Sequence, residues 1–160
     1  MGIEFMLRGD RELTAKVSGL RDKIVIEMLK AMDTVNNRLK THIVSDKLSG
    51  QVLKSHSGNL KRAIIQIPAE RTDETISGGV GLGREAAYGL AHEFGAHIPE
   101  RVPVRAKALH WIGADGQDVF AKRARAFDLP ERSFMRSSFA EFRDQIEDAM
   151  REAARKGSES

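Results

Sequence analysis

Apolar residues recur every three or four positions through the early part of the chain. Leu20, Ile24, Met28, Met32, Val35, Leu39 and Ile43 share one stripe, while Lys23, Glu27, Lys30 and Asn37 fall off it. That spacing predicts an amphipathic α-helix. A helical stretch already starts at Asp10, with Glu12 in its first turn, and Gly19 is expected to interrupt it. Residues 3–7 read as a short strand, and the helix is expected to fade near Ser45.

The pattern then changes to that of strands. Ser57-Gly58-Asn59 is a turn signal, and Leu60 to Ile67 reads as a strand with Ala63, Ile65 and Ile67 on one side. Pro68 is expected to end it. Thr75 to Leu82 reads as its antiparallel partner across a polar turn at 71–74. Ala87, Leu90, Ala91 and Phe94 return to helical spacing over 85–94, and Gly95 stands where a helix C-cap belongs. Residues 97–104 carry Pro99 and Pro103 and read as a loop. Asp115-Gly116 is a hairpin turn signal of the type that needs positive φ at both positions. With those two as the loop, Trp111 would face Phe120 across the ladder. Met135, Phe139, Phe142, Ile146, Met150 and Ala153 form the stripe of a final helix over about 132–154, and 157–160 reads as a frayed tail. The expected class is α+β in a single domain over 1–160. A small antiparallel sheet is packed by a long N-terminal helix, a short middle helix and a C-terminal helix. A β-hairpin arm protrudes at about 97–128.

Composition narrows the chemistry. The chain has 160 residues, no Cys, and a net charge of +3, with a hydrophobic share of 41%. Thiolate chemistry and disulfides are therefore impossible, and a disordered chain is not expected. One Trp and one Tyr give little for a base-stacking module. No apolar stretch reaches the ~18 residues of a membrane helix, and the first residues lack the basic start of a signal peptide. The expectation is a protein made in a cytoplasm, without membrane contact. The charge is uneven: Arg101, Arg105, Lys107, Lys122, Arg123 and Arg125 stand against only Asp115 and Asp118, whereas the last twenty residues are mildly acidic. A solvated arm, an arm gripping a neighbouring subunit and a surface facing DNA all fit such a segment.

Three candidate chemistries dissolve on inspection. His92-Glu93-Phe94-Gly95-Ala96-His97 looks like a zinc-protease motif, but that motif needs His at i and i+4 on one helix face. Here the spacing is i, i+5, across a helix-breaking glycine. Gly81-Leu-Gly83-Arg-Glu-Ala86 matches a dinucleotide fingerprint, yet a Pro-bearing loop follows where a parallel strand is needed. The glycines are better read as a tight strand-to-helix turn. Ser45, Ser49, Ser55 and Ser57 lie near His42 and His56, but none sits in a nucleophile elbow. No cofactor or metal is expected.

Several segments, taken in order, carry a resemblance. They are Ser57-Gly58-Asn59-Leu60-Lys-Arg-Ala-Ile64, then Val80-Gly81, then Ala87-Tyr88-Gly-Leu-Ala-His92-Glu93-Phe94-Gly95, then Pro130-Glu131-Arg132-Ser133-Phe134-Met135. Over about residues 48–155 this resembles the tail-completion, or head–tail joining, family of long-tailed phages and prophages, and the related virion-morphogenesis proteins. The family patterns are S/T-G-x-L-x-x-S-I, V-G-x-x-x-x-Y-A-x-x-x-E-[FY]-G and P-x-R-x-F-[LM]. Ala63 stands where Ser is common, Gly89 replaces the usual Ala, and 97–128 falls where members vary.

The resemblance implies a structural virion protein without catalytic activity, located in the tail or neck. It would form a homo-oligomeric ring, often sixfold. Its neighbours would be tail-tube or tail-terminator proteins on one side and head-connector proteins on the other. Double-stranded DNA passes through such a ring, so non-specific contact with DNA is compatible.

Gly58, Leu60, Tyr88, Glu93, Phe94, Gly95, Pro130, Arg132 and Phe134 are the motif positions. Tyr88 is expected to pack on the sheet, Phe94 to plug the helix end, and Phe134 to anchor the last helix in the core. Glu93 opposes the negative end of its helix dipole and needs a cation, for which Arg132 is the candidate. Arg105, Lys107, Trp111, Phe120, Arg123 and Arg125 are the candidate assembly interface. The rival readings are a sequence-independent DNA-binding protein and a metal-dependent hydrolase through His92, Glu93 and His97.

Overall fold

The computed structural model describes residues 10–53, 57–73, 75–113 and 115–159. The strand expected at 3–7 lies outside them. Helix α1 runs unbroken over Asp10–His42, about 50 Å long. Gly19 does not interrupt it: an added Cβ there would meet nothing within 4 Å, so the position is open surface that costs only helix propensity. The helix ends in a wide π-turn, Ile43–Lys47. Val35, Leu39 and Ile43 of the predicted stripe are buried in the core, while Leu20 stays 40% exposed.

The C-terminal helix, α4 (Met135–Glu159), packs antiparallel to α1. At one end Lys156 pairs with Glu27 at 2.9 Å. At the other, Glu141 accepts from Lys47 at 2.6 Å and contacts the His42 ring at 2.9 Å. The expected frayed tail is helical through Glu159. Gly157 is buried because α1 crosses it closely: a Cβ there would come within 2.5 Å of the Ile24 Cα.

Three two-stranded antiparallel ribbons complete the α+β fold. The first is β1 (Ile64–Thr72) with β2 (Thr75–Leu82). Leu60 lies not in a strand but in a single helical turn, α2 (Asn59–Arg62), entered through Gly58 at φ 71°. Starting the strand after Ala63 moves the inward face by one residue. Ile64 is buried, whereas Ile65 and Ile67 are 44% and 48% exposed. Pro68 does not end β1. It sits in a bulge between Ile67 and Glu70, where a proline removes no ladder bond. The bulge amide of Ala69 donates instead to Asp33 Oδ1 of α1 at 2.8 Å.

A 3-10 turn (Arg84–Ala86) leads into the short helix α3 (Tyr88–Phe94), and Gly95 follows at φ 72° as expected of a helix cap. Residues 96–98 are not loop: β3 (Ala96–Ile98) pairs with β6 (Phe127–Leu129). Arg101 and Ala124 continue that register as an isolated bridge. The arm is then completed by β4 (Leu109–Ile112) and β5 (Asp118–Ala121). The arm is thus two successive ribbons, with 102–108 between them on its outgoing side.

The arm register corrects a second expectation. Trp111 faces Val119, and Phe120 faces His110, with their rings stacked 4.8 Å apart. The loop is wider than two residues, since the Gly113 amide donates to the Gln117 carbonyl at 2.7 Å. Gly116 has φ 81°. A longer loop can turn the chain without the strained pair.

Candidate functional site: a carboxylate joint and a cationic cleft

Glu93, Phe94, Gly95, Arg132 and Phe134 of the motif positions meet where the end of α3 abuts the start of α4. Glu93 is 2% exposed. Its Oε2 accepts from the amides of Phe134 and Met135 at 2.8 and 2.9 Å. Its Oε1 accepts from the Arg136 amide at 2.9 Å and the Ser133 hydroxyl at 3.0 Å. Those amides open α4 and have no acceptor within the helix. The Glu93 carboxylate is therefore a cap supplied from another helix, and it lies at the positive end of the α4 dipole. Burial alone would push its pKa up. The amides of Met135 and Arg136, the Ser133 hydroxyl and the Phe134 amide outweigh that and hold it below the ordinary carboxylate range.

The Glu93–Arg132 pair, expected inside one subunit or between neighbours, is not made within the chain. Arg136, one turn into α4, takes that place. Its Nε lies 3.3 Å from Glu93 Oε1, and its other nitrogen donates to the Glu93 carbonyl at 3.1 Å and to Glu131 at 2.6 Å. The guanidinium also covers the Phe94 ring at 4.6 Å. Arg132 contributes its backbone instead, donating to the His92 carbonyl at 2.7 Å. The reach of an arginine from inside the helix favours residue 136. Beside the Glu93 carboxylate itself, the Ser133 hydroxyl, a helix-cap residue type just before the apolar stripe, was the local signal for this joint.

The other motif positions support the joint. Phe134 is fully buried. A Cβ on Gly95 would lie 3.1 Å from both the Glu131 amide nitrogen and the Leu129 carbonyl oxygen, so chain crowding as well as φ calls for glycine there. Pro130 occupies the exposed link between β6 and α4. The departure at Gly89 has a local cause: a Cβ would come within 2.8 Å of both Leu60 Cδ1 and Leu82 Cδ2. Two expectations fail here. Tyr88 does not pack on the sheet but is 46% exposed, edge-on to His92. Phe94 is 58% exposed and plugs nothing beyond its contact with Arg136.

His92, Glu93 and His97 do not converge. Glu93 is committed to α4, and His97 pairs with Asp128 across the β3–β6 ribbon at 2.7 Å. His92 keeps its Nδ1 buried without a partner. Burial, and then the charge of Arg132, hold its imidazole below the usual pKa. Among the described residues no group of three metal-ligating side chains comes together.

The second feature is a cleft of about 770 Å³ between α3 and the arm. Trp111, Arg123 and Arg125 of the candidate interface line it, with Arg101 at its base. Arg105, Lys107 and Phe120 are exposed elsewhere on the arm, Phe120 at 69%. Known proteins offer no guide to this arrangement: no protein-family profile, curated protein or solved structure matches the chain.

Proposed function

We propose that the chain is a structural protein of a phage or prophage particle. It completes the tail or joins tail to head, and works through contacts between copies and with neighbouring tail and connector proteins rather than by catalysis. The observation that supports this best is the amount of large apolar surface left uncovered. Leu13, Val17 and Ile26 on α1, Ile65 and Ile67 on β1, and Ile112, Phe120 and Phe127 on the arm are each more than 40% exposed. Scattered single residues need no explanation, but this many on three separate elements fits a part that is covered on assembly. The ordered motifs of the tail-completion family, which meet around Glu93, support the same reading.

The test is the mass in solution of the protein alone and mixed with the tail-tube protein of the same genetic element. A defined oligomer or a stable complex is expected. A monomer at high concentration that neither binds the tube nor changes particle assembly when deleted would overturn the proposal. A second reading, sequence-independent binding of duplex DNA, is favoured by the arginines and lysines of the arm. Among the described residues, Arg101, Arg105, Lys107, Lys122, Arg123 and Arg125 form no ion pair within the chain, although they are all exposed. Duplex affinity that falls steeply with salt would support it.

A further inference from the structure

We infer that the cleft between α3 and the arm seats a peptide segment of a partner protein in which carboxylate side chains alternate with apolar ones. The inference rests on the assembly reading above and names the chemistry of one contact within it.

The walls are of two kinds. Ile98, Leu109, Trp111, Phe127 and Leu129 supply apolar surface, with Trp111 41% and Phe127 54% exposed. Arg101, Arg123 and Arg125 supply charge, and no Asp or Glu lines the cleft. Burial, and then the charge of Arg132, hold the His92 imidazole below its usual pKa, and His110 is hydrogen-bonded to Asp118 at 2.6 Å. Three cations without counter-charges around an apolar floor are complementary to an acidic, apolar occupant. A DNA backbone would satisfy the arginines but leave the apolar walls wet. A purely apolar segment would leave the arginines without partners. Free guanidinium groups also suit carboxylates geometrically, since they can hold them bidentately. The backbone is prepared for an insertion: paired hydrogen bonds of 2.9 Å between Arg101 and Ala124 fix the base of the arm, so the cleft keeps its width without a ligand.

The experiment uses the full chain and a fluorescein-labelled synthetic peptide of alternating Glu and Leu or Phe. Comparison probes are its Gln-for-Glu analogue, its Lys-for-Glu analogue and a labelled short DNA duplex. The acidic peptide is expected to bind about tenfold more tightly than the Gln analogue, and that preference should shrink with salt. The double variant Arg123→Glu/Arg125→Glu should lose the preference and favour the Lys analogue. Trp111→Ala should weaken the acidic and Gln peptides alike. Thermal unfolding checks that each variant folds, and Arg123→Gln/Arg125→Gln replaces the charge reversal if it does not. Equal binding of the Glu and Gln peptides overturns the inference, as does binding indifferent to the arginine variants. Tighter binding of the duplex than of the peptide overturns it too and assigns the arginines to DNA. None of these outcomes touches the oligomer and tail-tube measurements, so the two proposals fail separately.

Discussion

Replacing Glu93 by Ala should destabilise the protein severely although the residue is charged. The side chain gives acceptors to three opening amides of α4 and to the Ser133 hydroxyl. Loss of a helix cap costs about 0.5–2 kcal/mol, and loss of a carboxylate at a partly buried helix start up to about 2 kcal/mol. The Phe134 amide is buried, and leaving it without a partner costs about 1–3 kcal/mol. These effects overlap, because they act on the same amides, so about 3–5 kcal/mol is expected. For a chain of this size that lowers the thermal midpoint by roughly 6–20 °C. Glu93→Gln keeps one acceptor oxygen and should cost about 1–3 kcal/mol. The pH dependence follows from the same contacts. The carboxyl binds its proton more weakly in the folded chain than in the unfolded one, so folding gains from it fully above the ordinary value of 4.5. As pH falls below that, unfolding takes up a proton and the gain is lost. The gap between wild type and Glu93→Gln should therefore be widest near neutrality and narrow in acid. Urea unfolding followed by circular dichroism measures both. An Ala variant within about 0.5 kcal/mol of wild type would refute the reasoning.

Phe134→Ala should cost about 3–5 kcal/mol, since the ring is fully buried; a urea midpoint shift of under 1 kcal/mol would contradict that burial. Gly95→Ala should cost about 1–3 kcal/mol through its positive φ and the crowding Leu129 and Glu131 backbone, read as a fall in thermal midpoint. Gly157→Ala should force α1 and α4 apart where Ile24 crosses, costing about 1–3 kcal/mol, and an unchanged melt would mean that the helices do not touch there. Arg151→Ala removes exposed pairs with Glu147 and Asp148 and should change stability by no more than about 0.5 kcal/mol.

Helix periodicity carried most of the fold that was legible in the sequence. The stripes of α1 and α4 were readable because seven or so positions reinforce each other over several turns. The strands were shorter and depended on one residue. Treating Leu60 as strand rather than helical turn reversed the inward face of β1, so that Ile65 and Ile67 emerged in solvent. Pro68 misled because a strand tolerates proline at a bulge, and the acceptor that satisfies the neighbouring Ala69 amide is Asp33, far away in sequence. In the arm, a wider loop moved Trp111 from Phe120 to Val119. At the joint, the sequence correctly pointed to a carboxylate in need of a cation. It could not say that the amides of α4 would be its main partners, because nothing local distinguishes a cap supplied by another helix from an exposed glutamate.

The joint and the cleft divide the labour of the motif and non-motif residues. Glu93, Gly95 and Phe134 are buried or backbone-constrained and bear no exposed chemistry, so they serve the docking of α3 onto α4. Arg101, Trp111, Arg123 and Arg125 are exposed and line the cleft between α3 and the arm, which no Asp or Glu lines. Changes at the first set should therefore lower stability, and, on the assembly proposal, assembly with it. Changes at the second should leave the unfolding midpoint in place and, on the same proposal, weaken assembly alone. The two sets are coupled through a short path, since His92 lines the cleft and its neighbour Glu93 caps α4.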